Sequence, residues 1–81
     1  MLLNNISLFL KIVEKGSLSG AGRESGLSST TVSERLSALE SHFGVVLLNR
    51  TTRAISLTEE GRTLVEGAKS LLGEVEELES R

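Results

Sequence analysis

Residues 18–43 read LSGAGRESGLSSTTVSERLSALESHF, and their pattern decides the fold. Leu18 to Ser25 reads as a short helix, Gly26-Leu27-Ser28 as a tight turn, and a longer helix follows. In that longer helix Val32, Leu36, Leu39 and Phe43 recur at i, i+4, i+7 and i+11, which is one apolar stripe at helical period. At about 100° per residue, Thr30, Ser33, Glu34, Ser37 and Ser41 face the other way. A helix with a packed back and a small, hydrogen-bonding front can lie against something polar. Two helices joined by such a turn make a helix-turn-helix, and the polar surface that suits it is the major groove of DNA.

The punctuation around this stretch agrees. Gly26 stands where a left-handed residue is wanted, and Leu27 plugs the core. Ser28 or Ser29 caps the longer helix, which ends at Gly44. Ser17 or Ser19 caps the shorter one, whose inward residues are Leu18 and Ala21; Gly22 lowers its helix propensity. Upstream, Ile6, Phe9, Leu10 and Val13 recur at i, i+3, i+4 and i+7. They predict a first helix, capped by Asn4 or Asn5 and ended by Gly16.

Downstream the period changes. Val45 to Leu48 is an apolar β-prone run, Asn49 to Ala54 is polar and basic, and Ile55-Ser56-Leu57 alternates. Two short strands around a basic loop make a hairpin, or wing. Thr58 then caps a last helix that carries Glu59 and Glu60 in its first turn. That helix runs to the chain end with Leu64, Ala68, Leu71, Val75 and Leu78 spaced 4, 3, 4, 3, a heptad seam. Residues 1–58 cannot bury so long a stripe, and an exposed seam of this kind marks a partner helix. The expected fold is mainly α: a winged helix-turn-helix, with a three-helix core and a two-stranded wing, followed by a long linker and dimerisation helix. The expected units are residues 1–58 and 59–81.

Composition bounds the function. Eighty-one residues make one small domain, and 38% apolar residues predict a folded, soluble chain. Nothing approaches a membrane span and no signal-peptide pattern opens the chain. There is no cysteine and a single histidine, so neither disulfides nor a zinc site is expected. His42 reads as a helix-end residue beside the C-terminal dipole. The abundant Ser and Thr lack a base and an orienting partner, so no nucleophile is read and no enzyme is expected. Net charge is −2, but it is divided unevenly. Residues 1–58 hold six cationic side chains against four acidic ones, while residues 59–81 hold three against seven. A mildly basic front and an acidic tail fit two different partners.

With motif, wing and long helix in this order, the chain resembles the N-terminal DNA-binding domain of LysR-type transcriptional regulators. The resemblance covers essentially the whole sequence. It is carried by Phe9, Gly16-Ser17-Leu18, Ala21-Gly22-Arg23, Leu27-Ser28, Val32-Ser33, Leu39-Glu40 and Gly44-Val45. Its most specific part is Leu47-Leu48-Asn49-Arg50-Thr51-Thr52-Arg53 followed by Leu57-Thr58-Glu59-Glu60-Gly61. The resemblance implies sequence-specific DNA binding that regulates transcription in the bacterial cytoplasm, with the third helix in the major groove. It implies Arg53 near the minor groove or backbone. It implies an antiparallel pairing of two last helices, helped by the first helix. Full-length members continue into a domain that binds a small-molecule co-inducer and often form tetramers; this chain ends before such a domain and is expected to hold no cofactor.

The expected DNA-contacting residues are therefore Ser28, Ser29, Thr30, Thr31, Ser33, Glu34, Arg35, Arg50, Thr52 and Arg53. The expected dimer contacts are Ile6, Phe9, Leu64, Ala68, Leu71, Leu72, Val75 and Leu78. The expected partners are double-stranded DNA with dyad-related half-sites and a second copy of the chain, without a membrane. Many members carry Gln-Pro where Ser29-Thr30 stands and Arg where Glu34 stands, so here Arg35 and the small hydroxyls carry more of the readout. Glu34 would repel phosphates but can accept from cytosine N4. For Arg50 a local carboxylate or carbonyl rivals DNA, and for Arg35 a structural salt bridge does. The rival to the whole reading is the same fold used as a protein-pairing module without strong DNA binding, motivated by the negative net charge. A further alternative is a winged-helix regulator of another family, such as the molybdate-sensing type.

Overall fold

The computed structural model describes residues 2–50 and 55–79, apart from the side chains of Leu72 and Val75. In chain order the elements are α1 (Leu2–Lys15), α2 (Leu18–Ser25), α3 (Ser29–Phe43), β1 (Leu48–Arg50), β2 (Ile55–Leu57) and α4 (Glu59–Glu79). Helices α1, α2 and α3 pack on one another, β1 and β2 form an antiparallel pair, and α4 leans on α1 and β2. In the pair, Leu48 stands opposite Leu57 and Arg50 opposite Ile55.

The helix ends follow local chemistry. Gly16, Gly26 and Gly44 close α1, α2 and α3 at φ near +70°, the region an L side chain avoids. Ser17 caps α2 by accepting from the Gly20 N–H, and Ser28 caps α3 by accepting from the Thr31 N–H. The Asn cap expected for α1 is not used. No Gly or Pro interrupts residues 2–5, so the helix begins at Leu2 and runs through both asparagines.

One core holds these elements together. Phe9 and Ile12 of α1, Ala21 of α2, Val32, Leu36 and Leu39 of α3, and Leu47 before β1 are all but sealed from solvent. The apolar stripe of α3 stops short of its last expected member: Phe43 is 43% exposed and stacks edge-on against His42. Gly22 is a requirement rather than a weakness. A Cβ there would lie 2.5 Å from the Leu27 carbonyl oxygen, so glycine lets the turn close against α2.

The wing departs from the expected run. Val45 and Val46 are not strand; β1 begins only at Leu48. The reason is a side chain outside the run. The Glu40 carboxylate accepts from the Leu47 N–H at 2.8 Å and the Leu48 N–H at 3.4 Å, and the Val45 N–H bonds back to the Glu40 carbonyl. The Val45 and Leu47 donors are spent on α3 and are lost to a sheet. Glu40 sits in the last turn of a helix, where the dipole disfavours a carboxylate, so its presence calls for such a compensating bond. Replacing Glu40 with Ala strands two partly buried N–H groups and should cost about 1–3 kcal/mol in urea unfolding.

The start of α4 is gripped at the same place. Thr58 Oγ1 accepts from the Gly61 N–H at 2.9 Å and donates to the Val46 carbonyl at 2.6 Å, while the Thr58 N–H bonds the Leu47 carbonyl. Gly61 passes so close to the Leu47 carbonyl that no Cβ fits between them. Leu47 is thus held through its N–H by α3 and through its C=O by α4. This joint sets the direction in which α4 leaves the domain.

On the opposite side, Glu24 of α2 pairs with Lys15 at 2.8 Å and with Lys11 at 3.5 Å. The Lys15 partner holds the Glu24 carboxyl below its usual range, and Glu24 holds the Lys15 ammonium above its own. The Glu24 contribution is complete above the ordinary carboxylate range and fades as acid titrates the folded carboxyl. The Lys15 contribution is complete below about pH 10 and fades as base titrates the folded ammonium. Both groups are exposed, so the effect is small and salt-screened. Glu24→Gln should flatten the acid limb of a Tm-against-pH curve without changing its alkaline half otherwise than through Lys15.

Candidate nucleic-acid interface

The front of α3 is built by the stripe behind it. With Val32, Leu36 and Leu39 sealed inward, Thr30, Glu34, Ser37 and Ser41 are exposed as the period requires. The hydroxyls read together in the sequence do different work in the structure. Ser28 Oγ accepts from the Thr31 N–H at 3.2 Å and donates to Thr31 Oγ1 at 3.0 Å, so both residues serve the cap. Ser29 Oγ reaches Ser19 Oγ at the 3.5 Å limit, tying the starts of α2 and α3. Thr30 stands exposed on the outer turn.

Ser33 lies on the flank of α3 that faces the wing. It is half-buried, and its Oγ accepts from Arg50 Nη1 at 3.0 Å. The local partner of Arg50 among the described residues is this hydroxyl, not the carboxylate or carbonyl expected as the alternative to DNA. The bond links the end of β1 to the second turn of α3, so Arg50 and the polar front of α3 lie side by side. Thr52 and Arg53 of the expected site lie outside the described residues.

Glu34 and Arg35 lie on the other flank. They border a shallow depression with Asn4, Asn5, Thr31 and Ala38, where the first turn of α1 comes up beside α3. Arg35 is exposed, and among the described residues it forms no ion pair, so the structural salt bridge weighed for it is not made. Its charge is carried on the surface.

The last helix is more divided than the sequence suggested. Gly61, Val65 and Ala68 share one face of α4 and are buried against this chain's own domain. Leu64, Leu71 and Leu78 recur every seven residues on a line about a quarter-turn away. Leu71 is 43% and Leu78 67% exposed. The single seam is thus two stripes, one facing inward and one outward. Ala68 belongs to the inward one. Ile6 and Phe9, expected at the dimer contact, are likewise buried in the core of one copy, where α1 packs on α2 and α3 with α4 alongside. The side chains of Leu72 and Val75 lie outside the description. Beside Leu64, Phe43, Val45 and Leu47 line an apolar cleft that continues the outward line onto the domain. Val65 was not anticipated, since a 4-3 spacing through Leu64 and Ala68 steps over it.

Among the described residues no helix is long and apolar enough to cross a membrane, and no group of three His, Cys, Asp or Glu could hold a metal ion.

Comparison with known proteins agrees with this geometry. The family model described as bacterial regulatory helix-turn-helix protein, lysR family, matches residues 3–62. The chain is 45% identical over 78 residues to an HTH-type transcriptional repressor of Pseudomonas aeruginosa, covering 96% of this chain and 25% of that protein. It is 42% identical over 76 residues to the HTH-type transcriptional activator AaeR of Escherichia coli, covering 94% and 25%. The chain thus spans about a quarter of the length of the curated relatives it matches. Among solved structures, the BenM DNA-binding domain in complex with benA site 1 DNA superposes with a TM-score of 0.93 at 29% identity, covering 99% of this chain and 90% of that one. Full-length CbnR complexed with its target DNA superposes with a TM-score of 0.90 at 30% identity, covering 100% and 28%.

Proposed function

Since this chain belongs to the lysR family of bacterial regulatory helix-turn-helix proteins, we propose that it binds duplex DNA sequence-specifically, as a dimer, within a cytoplasmic transcriptional regulator. The observation that carries this reading is the polar front of α3, tied to Arg50 at the end of β1 by the Arg50–Ser33 bond, on a helix whose back is sealed into the core. Residues 1–58 are the DNA-binding unit and residues 59–81 the dimerisation helix. Thr30, Ser33 and Arg35 face base edges or phosphates from the first turns of α3, and Arg50 and Arg53 grip the backbone from the wing. Ser28, Ser29 and Thr31 act mainly by shaping the N-terminal turn. This assignment leaves the chain no catalytic role.

The outward leucine line supplies the second copy. An antiparallel pair centred on Leu71 sets Leu64 of one chain beside Leu78 of the other, seven residues either side, with the Phe43 and Val45 cleft at each end. Two recognition helices related by a dyad then read two dyad-related half-sites. The acidic outer surface of α4 points away from the duplex, which reconciles a net charge of −2 with a polyanionic partner. Where the chain forms part of a protein as long as its relatives, a further domain would sense a small-molecule co-inducer and join dimers into tetramers.

The test is binding to selected duplexes at several salt concentrations. A dimer that neutralises about six phosphates should lose roughly a thousandfold in affinity between 50 and 200 mM salt. Arg53→Ala should weaken binding to most sequences alike and reduce the slope of log K against log salt by about one per protomer. A slope unchanged by that substitution would remove Arg53 from the interface.

A further inference from the structure

We propose that Arg50 is a positioning residue for base recognition: it holds the Ser33 hydroxyl as a hydrogen-bond donor toward the major groove, so that each half-site rejects cytosine at the base Ser33 faces. This rests on the DNA reading above.

The geometry has a fixed polarity. Arg50 Nη1 lies 3.0 Å from Ser33 Oγ. A guanidinium is always charged and only donates, so Ser33 Oγ must be the acceptor in this contact. A hydroxyl has one proton and two lone pairs. With one lone pair facing a cation, the proton turns away from it, and the cation polarises the O–H into a stronger donor and leaves the second lone pair a poorer acceptor. The usual internal outlet for a helical serine is the carbonyl four residues back, here that of Ser29. That bond is not made: among the described residues, Arg50 is the partner of the Ser33 side chain. Among the described residues no acceptor takes the proton, which is left for DNA.

The other hydroxyls of α3 have no charged partner among the described residues. Ser28 and Thr31 are occupied with each other and with the cap. Thr30 is exposed, and a free hydroxyl accepts or donates as its neighbour requires. In the major groove guanine offers N7 and O6, adenine N7 and thymine O4 as acceptors, while cytosine offers only the N4 amino donor. A hydroxyl biased toward donating suits the first three, whereas against cytosine it can offer only its weakened second lone pair to the N4 amino group. Ser33 is the position on the reading edge where a charged residue sets that polarity.

The experiment measures affinities of the whole chain for a panel of selected-site duplexes carrying each base at each position. Native protein should show one position per half-site where cytosine binds about tenfold more weakly than the other bases. Ser33→Ala should abolish that discrimination, and so should Arg50→Ala, with unchanged far-ultraviolet circular dichroism. Arg50→Lys, which also only donates, should retain it. If Arg50→Ala weakens every duplex equally and leaves the cytosine penalty intact, Arg50 is only a backbone contact and the proposal is overturned. If Ser33→Ala leaves the penalty intact, it is overturned as well. A chain that binds sequence-specifically but shows no cytosine penalty contradicts this proposal alone; a chain that retains no duplex contradicts the DNA reading and this proposal together.

Discussion

Gly61→Ala should lower the stability of the domain by roughly 2–4 kcal/mol, through a forced contact with backbone. The usual sign is the reverse. Glycine inside a helix is about 1 kcal/mol worse than alanine, so the exchange normally stabilises. At Gly61 the added methyl would enter the space held by the Leu47 carbonyl, and neither side can retreat. The Leu47 N–H is bound to Glu40, and its carbonyl is bound by the Thr58 N–H. The Gly61 N–H is itself bound by the Thr58 hydroxyl. Relief requires either shifting α4 away from the wing or breaking its cap. For a domain of this size the loss corresponds to a fall in Tm of about 10 °C or more. Gly73 of the same helix is the control. A Cβ there meets nothing within 4 Å, so Gly73→Ala should stabilise by up to about 1 kcal/mol. Thermal melts of the two variants should move in opposite directions. A neutral Gly61→Ala would mean that the α4 joint is looser than the Leu47 contacts require.

The double substitution Leu71→Glu with Leu78→Glu should leave the domain folded and weaken DNA binding by about 10²–10⁴-fold. Both leucines lie on the outward line of α4, so no core contact is lost. Four added carboxylates per pair would face one another across an apolar seam that already carries an acidic flank. Desolvating them without cationic partners is unfavourable, and the pair should separate. Each monomer then binds one half-site without the high local concentration its twin provides. Sedimentation should show the monomer, circular dichroism should remain native, and the residual binding should show no preference for dyad sites. Ala68→Glu makes a contrasting case: Ala68 is buried in the domain, so the same chemistry there should unfold the chain rather than dissociate it.

What the sequence made legible was what depends on neighbours along the chain. The left-handed glycines and the caps at Ser17, Ser28 and Thr58 each satisfy requirements within four residues, and the structure uses them. The stripe of α3 was legible because burial on one face of a helix writes a period into the sequence. What escaped lies across the chain. Glu40 decides where β1 begins from seven residues upstream, and no local propensity of Val45 or Val46 records it. Gly22 looked like a weak helix residue until the Leu27 carbonyl was seen against it. The division of α4 into two stripes needed the position of α1, since a heptad count cannot say which leucines a helix keeps for its own domain. At the reading edge, the residue types were legible but not their assignments. Only the structure separates hydroxyls occupied by a cap, such as Ser28, from one aimed by an arginine, Ser33.

The most direct measurement is selection of bound duplexes from a random pool, followed by sedimentation of the chain with the enriched sequence at low and moderate salt. A dimeric reader built as described should enrich sites with two half-sites related by a dyad. Two chains should sediment with each duplex, and the complex should dissociate steeply as salt rises. A chain that dimerises yet enriches no sequence and ignores salt would contradict the central claim and leave the fold as a protein-pairing module.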